Sequence, residues 1–246
     1  MSTTLFSFGT WQYYLTLDKL KESANNFVDN VKIYKESDIE TEFYIRFYNH
    51  FKDKRGFGYW IWKPYFINKL LENAKEDDIF IYVDSGNIVK DDLKVLFDLC
   101  RKDEKGVILF DNRDGTEDGS VWKNARWTKS DCFNLLTLTT SEYLQGNQVN
   151  ASYIVFRKTN FSVKFFDLFM RASSNYNIIS DAPNVTDNFN KEFYDHRHDQ
   201  SILSLLSIKY KIAIYRDPSQ WGYRVYKQTD PYGLLFEHHR RKFYLG

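Results

Sequence analysis

The 246-residue sequence has little of what usually declares a protein's class. Its two cysteines, Cys100 and Cys132, supply neither a disulfide framework nor a zinc-ligand spacing, so reduced thiols in a cytoplasmic setting are the expectation. No apolar run approaches the ~18 residues of a membrane-spanning helix. Met1 to Phe8 has no basic stretch ahead of an apolar one, so it does not read as a signal peptide, and the sequons at Asn150, Asn160 and Asn184 then read as chance. Charge of one sign is not in excess: 34 Lys and Arg stand against 33 Asp and Glu, a net of +1. That balance argues against a duplex nucleic-acid surface. There is no Rossmann glycine fingerprint, no P-loop, no His-Glu-X-X-His, no Gly-X-Ser-X-Gly and no Cys-X-X-Cys. Repeats, linkers and low-complexity blocks are also missing, so a single domain over 1–246 is expected.

What is abundant is aromatic. Phe, Tyr and Trp make up 18% of the chain, a surplus that suits a carbohydrate-facing cleft as well as a Tyr-rich core. Trp60, Trp62, Trp127 and Trp221 are the candidate stacking rings for an acceptor. Asp78-Ile-Phe-Ile-Tyr-Val83 is apolar on both faces, as a central strand of a parallel sheet is, and Asp84-Ser85-Gly86 follows it. Ligands of such sheets sit at the carboxyl ends of the strands, which makes Asp84 a ligand anchor or simply a turn former. Before it, Leu5 to Phe8, a helical pattern over Tyr13 to Phe27 and Val31 to Tyr34 form a βαβ unit, which predicts a parallel pair. Further strands are expected at Gly106 to Phe110, Gln148 to Arg157 and Ile212 to Tyr215. Helices are expected at Asp91 to Cys100, Asp131 to Leu138, Phe161 to Met170 and Ser201 to Lys209. The fold class is thus α/β with a mostly parallel central sheet flanked by helices.

The densest unusual stretch is Arg55 to Tyr65, with Gly56 and Gly58, then Trp60-Ile-Trp62-Lys63-Pro64. It reads either as an aromatic plug or as a helix N-terminus at which Lys63 faces a phosphate-like anion. Arg126 and Lys129 are two more cations set among aromatic residues. His196 and His198 flank Arg197 and precede Asp199, which reads as the N-cap of the following helix or, with them, as a metal ligand.

The order of these pieces resembles GT-A-fold glycosyltransferases, distantly those of family 8. It is also similar to bacterial and large-virus sugar transferases carrying Gly58-Tyr-Trp-Ile-Trp-Lys-Pro64, Tyr82-X-Asp84-X-Gly86 and His198-Asp-Gln-Ser-Ile-Leu203. The resemblance implies transfer of a hexosyl or deoxyhexosyl group from a nucleotide-diphosphate sugar, such as a UDP-sugar, to a glycan, glycolipid or glycoprotein acceptor in polysaccharide or glycan synthesis. It implies that Phe8, Gly9 and Thr10 lie by the base and ribose, that Asp84 holds the diphosphate through Mn²⁺ or Mg²⁺, and that Ser85 and Gly86 are donor-binding beside it. Asn150, Ser152, Asp199 and Gln200 would line the sugar pocket, with Asp199 and Gln200 catalytic and retention favoured over inversion. His238 and His239 would be late metal ligands. The chain departs from the Asp-X-Asp pattern, since Ser85-Gly86 follows Asp84. Either another acid or His fills in, or Lys63, Arg126 and Lys129 neutralise the leaving diphosphate. The alternative from another class is a non-catalytic carbohydrate- or nucleotide-binding module. The sequence also leaves open that the chain is one domain of a longer protein and that Arg240-Arg-Lys242 touches an anionic membrane.

Overall fold

The computed structural model describes residues 1–112, 120–225 and 232–239; most of the polar loop after Phe110 and the basic run Arg240 to Lys242 lie outside them. Eight strands occur among the described residues: β1 (Thr3–Phe8), β2 (Asn30–Tyr34), β3 (Ile79–Val83), β4 (Asn87–Val89), β5 (Val107–Phe110), β6 (Tyr153–Arg157), β7 (Ala213–Tyr215) and β8 (Phe236–His238). Six form one sheet in the order β2-β1-β3-β6-β5-β7, and β4 pairs with β8 in a small second sheet. The expected βαβ unit is present, since β1 is parallel to β2 across the helix α1 (Tyr14–Ala24). β1 is also parallel to β3, and β5 to β7. β6 runs against both neighbours, β3 and β5, so the sheet is mostly but not wholly parallel.

β3 shows why the chain folds around it. Phe80 and Tyr82 point to one face and Ile79, Ile81 and Val83 to the other, and all five are buried. On the first face lie the helices Trp62–Asn73, Asn160–Ser174 and Asp199–Lys209, which contribute Phe66, Ile67, Phe165, Phe166, Phe169, Leu203 and others to the core. On the second face α1 and the helix Lys94–Lys102 contribute Leu20, Ala24, Leu96, Phe97 and Cys100. A strand enclosed on both faces needs no polar alternation, which is the pattern its sequence carries. Among the described residues, no helix is long and apolar enough to cross a membrane.

One segment breaks the rules of regular structure. Gly56, Phe57, Gly58, Tyr59 and Trp60 all have positive φ, from 50° to 84°, so the chain makes a short left-handed turn before the helix Trp62–Asn73. Left-handed backbone costs an L-residue about 1–2 kcal/mol, so the turn must be held by its surroundings. It is. The Phe57 ring packs on Phe8 and Phe51, the Tyr59 hydroxyl donates to Asp53 at 2.6 Å, and the Trp62 indole donates to the Gly56 carbonyl at 2.9 Å.

Candidate functional site

The carboxyl end of β3 and the amino end of β6 meet at one edge of the sheet, because the two strands are antiparallel and Val83 is paired with Tyr153. This register sets Asp84 against Ser152. The Asp84 amide donates to the Ser152 carbonyl at 3.0 Å, and the Ser152 hydroxyl donates to Asp84 Oδ2 at 2.9 Å. Asp84 Oδ1 accepts the Tyr82 hydroxyl. A third of the Asp84 side chain remains exposed, so its carboxylate is open to solvent at this edge.

Behind it lies a buried cation. Lys63 Nζ is 2.5 Å from Asp199 Oδ2, 3.0 Å from the Ala151 carbonyl and 4.0 Å from Asp84 Oδ1, and it sits over the Tyr82 ring. The Lys63 and Asp199 side chains are 2% and 6% exposed. Burial pushes the Asp199 carboxyl above its ordinary range; the Lys63 ammonium pulls it down and Asp84 adds to the rise. Lys63 therefore does not face solvent at a helix end. It is the second residue of the helix Trp62–Asn73 and bridges two carboxylates from 21 and 136 positions along the chain (84 − 63 and 199 − 63).

Asp199 is likewise not an N-cap. His198 holds that position, with φ 51°, and Asp199 is the first residue of its helix, its side chain given to Lys63. The two strained segments touch: the Trp60 ring stacks on His198 with centroids 5.4 Å apart, and Tyr59 lies 5.1 Å from it. His198 donates from Nδ1 to the Ile179 carbonyl, and His196 bonds the Ile178 carbonyl through Nε2. Both rings are buried against backbone, and burial lowers both pKa values, that of His198 to about 4.

Gln200 extends the site. Its Oε1 accepts from the Ala151 amide at 3.4 Å and its Nε2 donates to Gln148 at 3.2 Å. The Asn150 amide group is oriented from both ends, donating to Asp217 at 2.7 Å and accepting from the Ser152 amide at 2.9 Å. Asp217 is fully enclosed, and burial lifts its carboxyl. The turn that carries it also fastens β8: the Pro218 carbonyl accepts from Leu235 and Phe236, and Gln220 exchanges two bonds with the His238 backbone. His238 thus pairs with Asn87, and the His239 amide donates to the Gly86 carbonyl at 2.9 Å.

The structure therefore brings Lys63, Asp84, Ser85, Gly86, Asn150, Ser152, Asp199, Gln200, His238 and His239 to one edge. Phe8, Gly9 and Thr10 end β1 beside it, and the Tyr13 hydroxyl feels the Asp84 charge. Trp62 is buried beneath, stacked on Phe8 with centroids 4.2 Å apart. Trp221 follows the Asp217 turn, its amide bonded to Ser219. Arg126 is exposed and lies over the rings of Trp127 and Tyr194. Trp127 is one residue from Thr128, which accepts from Gln148. Lys129 is apart from this edge: it is buried, donates to the Ala182 carbonyl at 2.6 Å and lies 3.7 Å from Asp131. It fastens the loop after Ile179.

Sequence reasoning missed Tyr82, Gln148 and Asp217. Asp217 carried the signal used for Asp84, an acid just past a strand end, here after Tyr215.

Protein-family profiles give no match to the sequence, and neither do curated proteins. Solved structures do match. The chain superposes on the galactosyltransferase LgtC, a structure in complex with donor and acceptor sugar analogs, with TM-score 0.50 and 13% identity, over 96% of this chain and 87% of that one. The shared fold is GT-A. A glycosyltransferase involved in glycosylation of the major capsid of PBCV-1 matches with TM-score 0.48 and 14% identity, over 97% of this chain and 92% of that one. The glycosyltransferase GlyE of Streptococcus pneumoniae TIGR4 matches with TM-score 0.44 and 17% identity over 97% of this chain, which spans 54% of GlyE.

Proposed function

We propose that this protein is a glycosyltransferase that takes a sugar from a nucleotide-diphosphate donor, with Asp84 at the diphosphate and Asn150, Ser152 and Gln200 around the sugar. The observation that carries this reading is the meeting, at the carboxyl-end edge of a GT-A sheet, of one solvent-open carboxylate with two carboxamides oriented by hydrogen bonds.

The charge balance of the site favours a divalent ion over bare cationic side chains. With both carboxylates ionised, Asp84, Asp199 and Lys63 carry one net negative charge, and Lys63 is already committed to Asp199. A diphosphate arriving there needs added positive charge. Among the described residues no group of three or more His, Cys, Asp or Glu is placed to hold an ion. Asp84 nevertheless fits as one protein ligand, because its carboxylate is accessible and Mg²⁺ or Mn²⁺ often takes one or two carboxylates and fills its shell with phosphate oxygens and water. Such an ion would offset charge on the departing diphosphate. His238 and His239, beside Gly86, are the candidates to support it.

The remaining work falls to this chain's own groups. Lys63 bridges Asp199 and Asp84 from a buried position, so it positions rather than reacts. Asp199 is nearly closed to solvent, which supports a positioning role for it in place of the catalytic one that the resemblance implies. Gln200 and Asn150, whose amides are oriented, hold the donor sugar so that its anomeric carbon faces the acceptor hydroxyl. A carboxamide there suits the retaining course.

The test is a thermal-shift screen with UDP-, GDP- and dTDP-linked sugars, with and without Mn²⁺, followed by assay for sugar release. Stabilisation that is larger with Mn²⁺ and lost in Asp84→Ala is the expected result. An unchanged melting temperature across the panel would sink the proposal, and binding without turnover would leave a binding module.

A further inference from the structure

The run 41–52 leaves three large apolar side chains exposed beside the face that it packs inward. α2 (Thr41–Arg46) and α3 (Tyr48–Phe51) are nearly continuous, with the amides of Phe47, Phe51 and Lys52 bonded to the carbonyls of Phe43, Phe47 and Tyr48 at 2.9 to 3.2 Å. The inner face is Phe43, Phe47, His50 and Phe51, spaced i, i+4, i+7 and i+8, and it packs on Tyr65, Tyr176 and Phe57. A surface helix anchored that way normally has a polar outer face. Here the outward positions include Tyr44, Ile45 and Tyr48, which are 38%, 67% and 58% exposed, although the Tyr44 ring also stacks on Phe51 with centroids 4.9 Å apart.

The charges around these three side chains have a sign. Arg46, Lys52 and Lys54 are exposed, and Glu42 is the one exposed carboxylate of the run that makes no ion pair or side-chain bond among the described residues. Glu40 is paired with Lys69 and Arg55 with Asp181 and Asp195; Asp53 keeps its negative charge while accepting the Tyr59 hydroxyl, so three cations stand against Glu42 and Asp53. Tyrosine and isoleucine beside uncommitted cations suit the headgroup layer of an anionic bilayer, where apolar bodies enter the acyl boundary and cations meet lipid phosphate.

We propose that the outer face of α2 and α3 docks this protein on an anionic membrane surface. The face lies close to the cleft: Phe51 packs on Phe57, which stacks on Phe8 at the end of β1. Docking would therefore bring the donor edge near the lipid, where a lipid-linked acceptor resides. That last consequence rests on the transferase reading; the docking itself does not.

Co-sedimentation with vesicles of phosphatidylcholine, with and without phosphatidylglycerol, tests it. Binding is expected only with phosphatidylglycerol and is expected to weaken with salt. The variant Tyr44→Ser/Ile45→Ser/Tyr48→Ser should lower the partition about tenfold or more, and Arg46→Gln/Lys52→Gln/Lys54→Gln should remove the preference for the anionic lipid. Because Tyr44 also stacks on Phe51, the double variant Ile45→Ser/Tyr48→Ser, which keeps that stack, accompanies the triple one; it and the charge variant should keep the wild-type melting temperature. Failure of the wild type to bind either vesicle would overturn the proposal, as would binding that none of the variants alters. Self-association abolished by the first variant, without vesicle binding, would assign the face to a second copy of the chain instead. Loss of docking with donor stabilisation intact would leave the transferase reading standing.

Discussion

At the scale of single residues, Lys63 is the group whose role changes most on folding. In sequence it is one charge inside an eleven-residue stretch of aromatic and aliphatic neighbours, and that isolation was the available sign that it is buried rather than anion-facing. Its partner lies 136 residues away, too far for any local pattern to reveal. Removing one member of a buried pair leaves the other uncompensated, so Lys63→Met is expected to cost about 3–5 kcal/mol of stability in urea unfolding. Lys63→Met with Asp199→Leu should recover most of that loss, since neither charge then remains buried. A double variant as unstable as the single would show that the pair is not the source. Asp84 differs, being exposed in part and held by two hydroxyls; Asp84→Asn should leave the urea midpoint nearly unchanged while removing the Mn²⁺-dependent donor stabilisation that the proposed function predicts.

At the scale of elements, the left-handed turn and His198 form a clamp. The turn delivers Lys63 and His198 delivers Asp199, and their rings are stacked, so each strained backbone holds the other in place. Gly58 has φ 84°, and a Cβ there would lie 2.9 Å from the Phe51 ring. Gly58→Ala is expected to cost about 1–2 kcal/mol for the backbone alone, read as a shift in the urea midpoint. Trp60→Ala should leave the helix content intact yet expose Lys63 to an acylating reagent, with mass spectrometry of the modified lysine as the measure. Continued protection of Lys63 would show that the stack does not position it. β1, β3 and β5 were legible because each is a short apolar run ending in a turn residue or an acid. β4 and β8 were not, since a three-residue strand has too little pattern to read, and β8 takes its place from the bonds of Pro218 and Gln220. The reversal of β6 was equally hidden, because a strand buried on both faces has the same apolar pattern in either direction.

At the scale of the whole molecule, acid sensitivity follows from three buried histidines. Burial holds His50 and His198 near pKa 4 and lowers His196 as well, against an ordinary value of 6.5. The unfolded chain therefore binds more protons between pH 6.5 and 4. Their contribution is complete above that window and falls as the pH drops through it, by about 3 kcal/mol for His50 alone. Asp199 and Asp217, whose carboxyls burial lifts, act in the opposite direction and soften the loss. Urea midpoints measured from pH 7 to pH 4 should decline, and His50→Phe should flatten the decline; a pH-independent midpoint would contradict the assignment. The antiparallel strand β6 has a separate consequence, for synthesis. Asp84 leaves the ribosome early, but its strand cannot be enclosed until β6 arrives about seventy residues later, and the Asp199 helix and β8 come later still. A growing chain thus carries the Asp84 carboxylate without its neighbours around it, and this edge is complete only after β8 has emerged.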